Sequence, residues 1–106
     1  MELHHRVYVI ELSAEVLQQK RFRNKNPNHD PAKQCVYVGM TGLPVAQRFA
    51  NHLAGIKSSG FVSRYGVRLM PALYEQLSAM TYEAAASKER ELAEELRREG
   101  YGVWQG

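Results

Sequence analysis

The sequence predicts one α/β domain, a small three-stranded, mainly antiparallel sheet flanked by helices. Three observations predict it. Two short segments, 6–12 (RVYVIEL) and 35–39 (CVYVG), are dense in β-branched and aromatic residues and read as strands. Two longer segments, at about 45–56 and 82–96, carry apolar residues three and four apart, the period of an amphipathic helix. The chain has 106 residues, enough for one modest core and too few for two, so a single domain spans 1–106.

Taken in order, the first strand points Val7, Val9 and Glu11 one way and Tyr8, Ile10 and Leu12 the other. Residues 13–20 fit one or two helical turns. Residues 21–34 hold Asn24, Asn26, Pro27, Asn28, Asp30 and Pro31 with almost nothing apolar, which predicts a long loop. Loops of that length are usually functional or disordered. After the second strand, residues 40–43 turn around Gly42, and Pro44 suits a first helical turn. Val45, Phe49, Leu53 and Ile56 then form one apolar stripe, with Gln47, Arg48, Asn51 and His52 off it and Gly55 at the helix end. Residues 58–60 link to a helical turn at 61–65 closed by Gly66. Residues 67–70 fit a short strand before Pro71, and 73–77 fit either strand or helix. Thr81 suits an N-cap, with Glu83 near the positive end of the dipole. That helix runs to about Glu99 and stops at Gly100, leaving 101–104 as a short final strand or packed tail.

Composition narrows the function classes. Cys35 is the single cysteine, so no intramolecular disulfide is possible, and a reducing, cytoplasmic setting is expected. Residues 1–6 contain no apolar leader core, and no apolar run approaches the length of a membrane span. The net charge of +3 is unevenly spread. Residues 83–99 hold six acids and four bases, a net of −2, which leaves +5 on residues 1–82. The excess gathers at Lys20, Arg21, Arg23, Lys25 and Lys33, then at Arg48, Lys57, Arg64 and Arg68. A basic body favours a polyanionic partner through counterion release.

One residue breaks the helical pattern. Tyr82, Ala85, Glu89, Leu92 and Leu96 form the inward stripe of the last helix, while Glu91, Glu94, Glu95, Arg97 and Arg98 fall outside it. A carboxylate on a core-facing stripe costs several kcal/mol unless something compensates it. Three compensations are open: an arginine partner, an edge position that reaches water, or a bound metal ion.

The ordered set of Tyr8 in Arg6-Val7-Tyr8, Tyr37-Val38-Gly39, the turn Met40-Thr41-Gly42, Arg48, His52 and Glu89-Arg90-Glu91-Leu92 resembles the GIY-YIG nuclease superfamily over residues 6–101. The chain departs from that pattern in places. Arg6 stands where the first motif has glycine, the segment between the motifs is long, and the step from Tyr37 to Arg48 is slightly long. No asparagine follows the last helix near Val103-Trp104-Gln105.

The resemblance implies a DNA endonuclease, structure-specific and repair-related, that uses Mg²⁺ or Mn²⁺. Phosphodiester hydrolysis needs a nucleophilic water, a neutralised phosphate and a stabilised leaving oxygen. By the resemblance, Tyr37 is the general base and Tyr8 supplies a hydrogen bond or places the water. Arg48 offers a planar donor fork to the phosphate. His52, one turn further on, binds phosphate or holds a neighbour. Glu89 is the single protein ligand of the metal ion, a sparse set that Mg²⁺ accepts because it keeps most of its waters. Gly39 is expected to let the backbone turn beneath the site. The cations at 20–33, Arg64 and Arg68 are candidate grips for flanking phosphates.

Other chemistries are poorly served. Cys35 and His4, His5, His29 and His52 lack the paired spacing of a zinc site. Cys35 sits inside an apolar strand, unsuited to a nucleophile. No phosphate-cradling glycine loop is present. Two rival readings stay open: a non-catalytic nucleic-acid-binding module on the same fold, and a protein-interaction domain joined through the Asn/Pro segment.

Overall fold

A computed structural model describes residues 3–106, so the first two residues of the single-domain span lie outside the described residues. The chain forms β1 (Arg6–Leu12), α1 (Lys20–Lys25), β2 (Cys35–Thr41), α2 (Val45–Leu53), α3 (Gly60–Tyr65), β3 (Gly66–Leu69), α4 (Tyr82–Arg98) and β4 (Gly102–Gln105). Short 3₁₀ turns occupy Ala14–Gln18 and Pro71–Leu73, and the latter settles the strand-or-helix ambiguity only for its first residues.

The fold is α/β, but its sheet has four strands in the order β3-β1-β2-β4, not three. β1 is antiparallel to both β2 and β3, and β4 runs parallel to β2. The added strand is the tail beyond α4. Gly100, at φ +101°, turns the chain off the end of that helix. The tail then lies against β2, with Val36 beside Val103 and Val38 beside Gln105.

Period-two alternation divides the core between two faces. Val7, Val9, Val36, Val38 and Val103 pack against Ala85, Leu92, Ala93 and Leu96 of α4. Tyr8, Ile10, Leu12, Cys35 and Tyr37 face the other way and meet Phe22 of α1, Phe61 and Val62 of α3, and Val16. Helices therefore cover both faces of the sheet. The end of α4 nearest the site is fixed by Thr81, whose hydroxyl oxygen accepts the Ala84 N–H at 3.1 Å.

Three expectations are corrected. The basic segment at 21–34 is not all loop, because Lys20–Lys25 is helical and Phe22 is fully buried. One anchoring aromatic is enough to dock a helix too short to show a period. The inward face of α2 is rotated away from the predicted stripe: Leu53 and Ile56 are exposed, whereas His52 is completely buried. Tyr82, placed on the inward stripe of α4, is 60% exposed. In α2 a polar partner on the sheet, Tyr8, outweighs the apolar periodicity.

Asn26, just past α1, holds the free edge of β4. Its side-chain amide donates to the Val103 carbonyl at 3.0 Å, and its oxygen accepts the Val103 N–H at 2.8 Å. The amide thus takes the place of a neighbouring strand on an otherwise unpaired edge. The same amide donates to the Phe22 carbonyl, and Arg97 adds donors to Asn26 and to Val103.

Candidate active site

Strand register places the two tyrosines. Tyr8 pairs with Gly39 and Ile10 with Tyr37, so both phenols rise from one face of the β1–β2 hairpin on a diagonal. Their ring centroids lie 6.2 Å apart. Gly39 sits beneath both. A Cβ there would come within 2.7 Å of the Tyr8 hydroxyl and 2.8 Å of the Tyr37 ring. Gly39 is inside β2, not in a turn, so it serves by leaving room for the rings and not by bending the chain.

α2 brings His52 and Arg48 to the same rings, one turn apart. His52 lies behind Tyr8, with its Nε2 2.9 Å from the Tyr8 hydroxyl. Its other nitrogen, Nδ1, accepts the Ser59 N–H at 3.4 Å. Burial, together with the Arg48 charge, lowers its pKa to about 4, so the ring is neutral near pH 7. With Nδ1 accepting, the ring proton belongs on Nε2 and is donated to Tyr8. The Tyr8 hydroxyl then keeps its own proton to donate toward Tyr37, a bond that lowers the Tyr37 pKa. His52 does not line the cavity and carries no charge for a phosphate. Of the two roles the resemblance implies, the buried ring is placed to hold a neighbouring group.

Arg48 donates through Nη2 to the Lys57 carbonyl at 2.8 Å and through Nη1 to the Ile56 carbonyl at 3.4 Å. These bonds tie the turn after α2 to the site. The guanidinium also faces the phenols, and its charge lowers the pKa of Tyr8 and Tyr37 against a larger upward push from burial. Among the described residues no carboxylate forms an ion pair with it.

Glu89 arrives from α4. It is 6% exposed, and burial raises its pKa, with the Gln105 hydrogen bond and the Arg90 charge opposing. Gln105 Nε2 donates to Oε1 at 3.0 Å. No cation forms an ion pair with this carboxylate among the described residues. Of the three compensations open to it, a closed ion pair with arginine is therefore not used among the described residues, although the Arg90 charge assists the ionised form.

Tyr8, Tyr37, Arg48 and Glu89 line one cavity of about 400 Å³, together with Met40, Tyr82, Ala86, Arg90, Gln105 and Gly106. Among the described residues Glu89 is its single carboxylate side chain, and its charge adds to burial in raising the pKa of Tyr37. Among the described residues, no group of three or more His, Cys, Asp or Glu gathers to hold a metal ion. The available donors, a carboxylate, phenols and a side-chain amide, are all hard oxygens. They suit a hydrated Mg²⁺ or Mn²⁺ ion and not a soft one.

The remaining candidate cations lie elsewhere. Arg68 pairs with Glu11 at 2.6 Å, and Arg64 covers the Tyr65 ring; neither lines the cavity. Gln105 is the site residue that sequence reasoning missed. A glutamine beside the last residue carries no signal until β4 is known to pair with β2 and set it over Glu89.

No protein-family model, no curated protein and no solved structure matches this chain. Among the described residues, no helix is long and apolar enough to cross a membrane.

Proposed function

We propose that this chain is a divalent-metal-dependent DNA endonuclease of the GIY-YIG type, structure-specific and acting in repair. The observation that carries the reading is a buried carboxylate that forms no ion pair among the described residues, meeting a guanidinium and two phenols around one solvent-reachable cavity. A core position would favour leucine there, so a buried acid held by a glutamine and not by an ion pair calls for a chemical use.

Each residue has a task in that reading. Arg48, braced on two carbonyls, offers its other donors to a non-bridging phosphate oxygen. Glu89, steered by Gln105, would hold Mg²⁺ or Mn²⁺, which when bound neutralises phosphate charge and stabilises the leaving oxygen. Tyr37 takes a proton from the attacking water. Its phenol is hard to ionise in the free protein because burial and Glu89 both raise its pKa. The Arg48 charge and the Tyr8 hydroxyl work against that rise and favour the phenolate. His52 fixes Tyr8 in the donating orientation.

A cleavage panel tests the proposal: single-stranded, duplex, nicked and flapped DNA, with Mg²⁺ or Mn²⁺, beside Glu89→Ala and Arg48→Ala. Cutting is expected from the native chain and from neither variant, with DNA binding surviving Glu89→Ala. Tight binding without cutting of any substrate would instead mark a non-catalytic nucleic-acid-binding module.

A further inference from the structure

The cavity does not end at Gln105. That residue also lines a second hollow, of about 290 Å³, with Lys25, Arg97 and Trp104. Lys25 and Arg97 in turn line a third, of about 180 Å³, that reaches Arg98 and Tyr101. Through these shared residues the three hollows adjoin in a row, a furrow that leads from the Glu89 cavity past β4 to the end of α1. Among the described residues no aspartate or glutamate lines the second or third hollow. The two aromatics beyond the Glu89 cavity each have a cation at the ring: Arg21 lies 5.6 Å from the Trp104 centroid, and Lys33 lies 5.1 Å from that of Tyr101.

The floor is built, not incidental. Asn26 and Arg97 lock α1, α4 and β4 together through bonds to the Val103 backbone. Lys25 and Arg98 are left exposed above that floor. Cations tracking a narrow furrow beside half-buried aromatic rings form the pattern that grips an unpaired polynucleotide, with phosphates on the cations and bases on the rings. A duplex keeps its bases stacked on one another and offers the rings nothing.

We propose that this furrow carries a single-stranded arm of the DNA substrate leading to the scissile phosphate, with Trp104 as a base-stacking platform. The proposal rests on the nuclease reading and specifies its substrate as DNA with an unpaired arm.

Trp104 is the only tryptophan in the chain, so its emission reports on the furrow alone. The experiment titrates the full chain, in chelator to prevent cutting, with single-stranded oligothymidylate and with a blunt duplex hairpin. Saturable quenching is expected with the single strand and little with the hairpin. The double variant Lys25→Gln, Arg98→Gln should bind the single strand on the order of tenfold more weakly. Its log–log salt dependence should flatten by about 1.4, at roughly 0.7 per cation removed. With metal restored, it should raise KM for a flapped substrate and leave kcat unchanged.

Single-strand binding without quenching, or undiminished in the double variant, would overturn the furrow while Glu89-dependent cutting kept the nuclease reading alive. Equal quenching by the blunt hairpin would overturn the single-strand assignment. If neither DNA bound at all, the furrow and the nuclease reading would fall together.

Discussion

Tyr8 and Tyr37 look equivalent in the sequence, and their surroundings separate them. Both border the cavity, but the Tyr8 hydroxyl is bonded to the buried ring of His52, whereas Tyr37 feels the Glu89 charge. Tyr8→Phe should therefore cost stability, about 1–3 kcal/mol, because the imidazole N–H loses its acceptor in a buried place. Tyr37→Phe should change stability less, yet slow cutting by roughly 10²–10⁴-fold through loss of the base. Thermal unfolding and kcat measured on both variants check the contrast, and equal stability losses would dissolve the proposed division of labour. Glu89 invites a sharper comparison. Burial raises its pKa, so its charge opposes folding at neutral pH. Glu89→Gln keeps a partner for Gln105 and removes the charge. In chelator it should raise Tm by roughly 2–5 °C while cutting ceases. A variant less stable than the native chain would show that the carboxylate is already well compensated. Gly39→Ala should be poorly tolerated although Gly39 occupies a strand, since its Cβ would press on both phenols.

The elements differ in how far the sequence disclosed them, and the reasons are physical. β1, β2 and α4 were legible because each spans enough residues for its period to show, and Thr81 and Gly100 mark the ends of α4. α1 was not legible, since one buried phenylalanine among charged and amide residues carries no period. α2 was found but turned the wrong way, because the apolar stripe promised burial that the fold gives to His52. The candidate site was legible residue by residue, through Tyr8, Tyr37, Arg48 and Glu89. Gln105 was hidden because its place depends on a parallel pairing between distant segments. α1 matters to the sheet through Asn26, whose amide substitutes for a strand beside Val103. Asn26→Ala would strip the Val103 N–H of its acceptor, leave the Val103 carbonyl to the Arg97 donor alone, and leave Arg97 short of an acceptor. It should cost about 1–3 kcal/mol, chiefly from the buried Val103 N–H left unpaired. The signature is local: in native-state hydrogen exchange the Val103 amide should lose protection, while amides in the middle of α4 keep theirs. Unchanged protection at Val103 would mean that the edge is closed by something other than this side chain.

At the scale of the whole molecule, the buried ionisable groups bound a pH window. His52 sets the acid side. Its pKa falls from 6.5 unfolded to about 4 folded, so the unfolded chain takes up a proton first as pH drops. The stability tied to its neutral ring is complete above pH ~6.5 and drains away toward pH ~4, by at most about 3 kcal/mol. Glu89 acts in the opposite sense. Its folded pKa is raised, so protonation favours the folded state and returns part of that loss on acidification. The alkaline side belongs to Tyr8, Tyr37 and Cys35, all raised by burial, with Cys35 pushed up to about 11. Each supports the fold below its unfolded pKa and ceases to as pH climbs through its folded value. Stability should therefore be greatest between pH ~6.5 and ~9, falling on both sides. Cutting should follow a narrower course, because the proposed reaction requires Glu89 ionised and would rise as that raised pKa is passed, in the range where the same ionisation weakens the fold. Urea midpoints from pH ~4 to ~10 in chelator give the stability curve, and single-turnover cutting gives the other. His52→Gln should flatten the acid limb of the first, whatever its effect on absolute stability, since the group that titrates there is gone. An acid limb of unchanged slope in that variant would move the origin of acid sensitivity to another group and break the link between the histidine behind Tyr8 and the pH window.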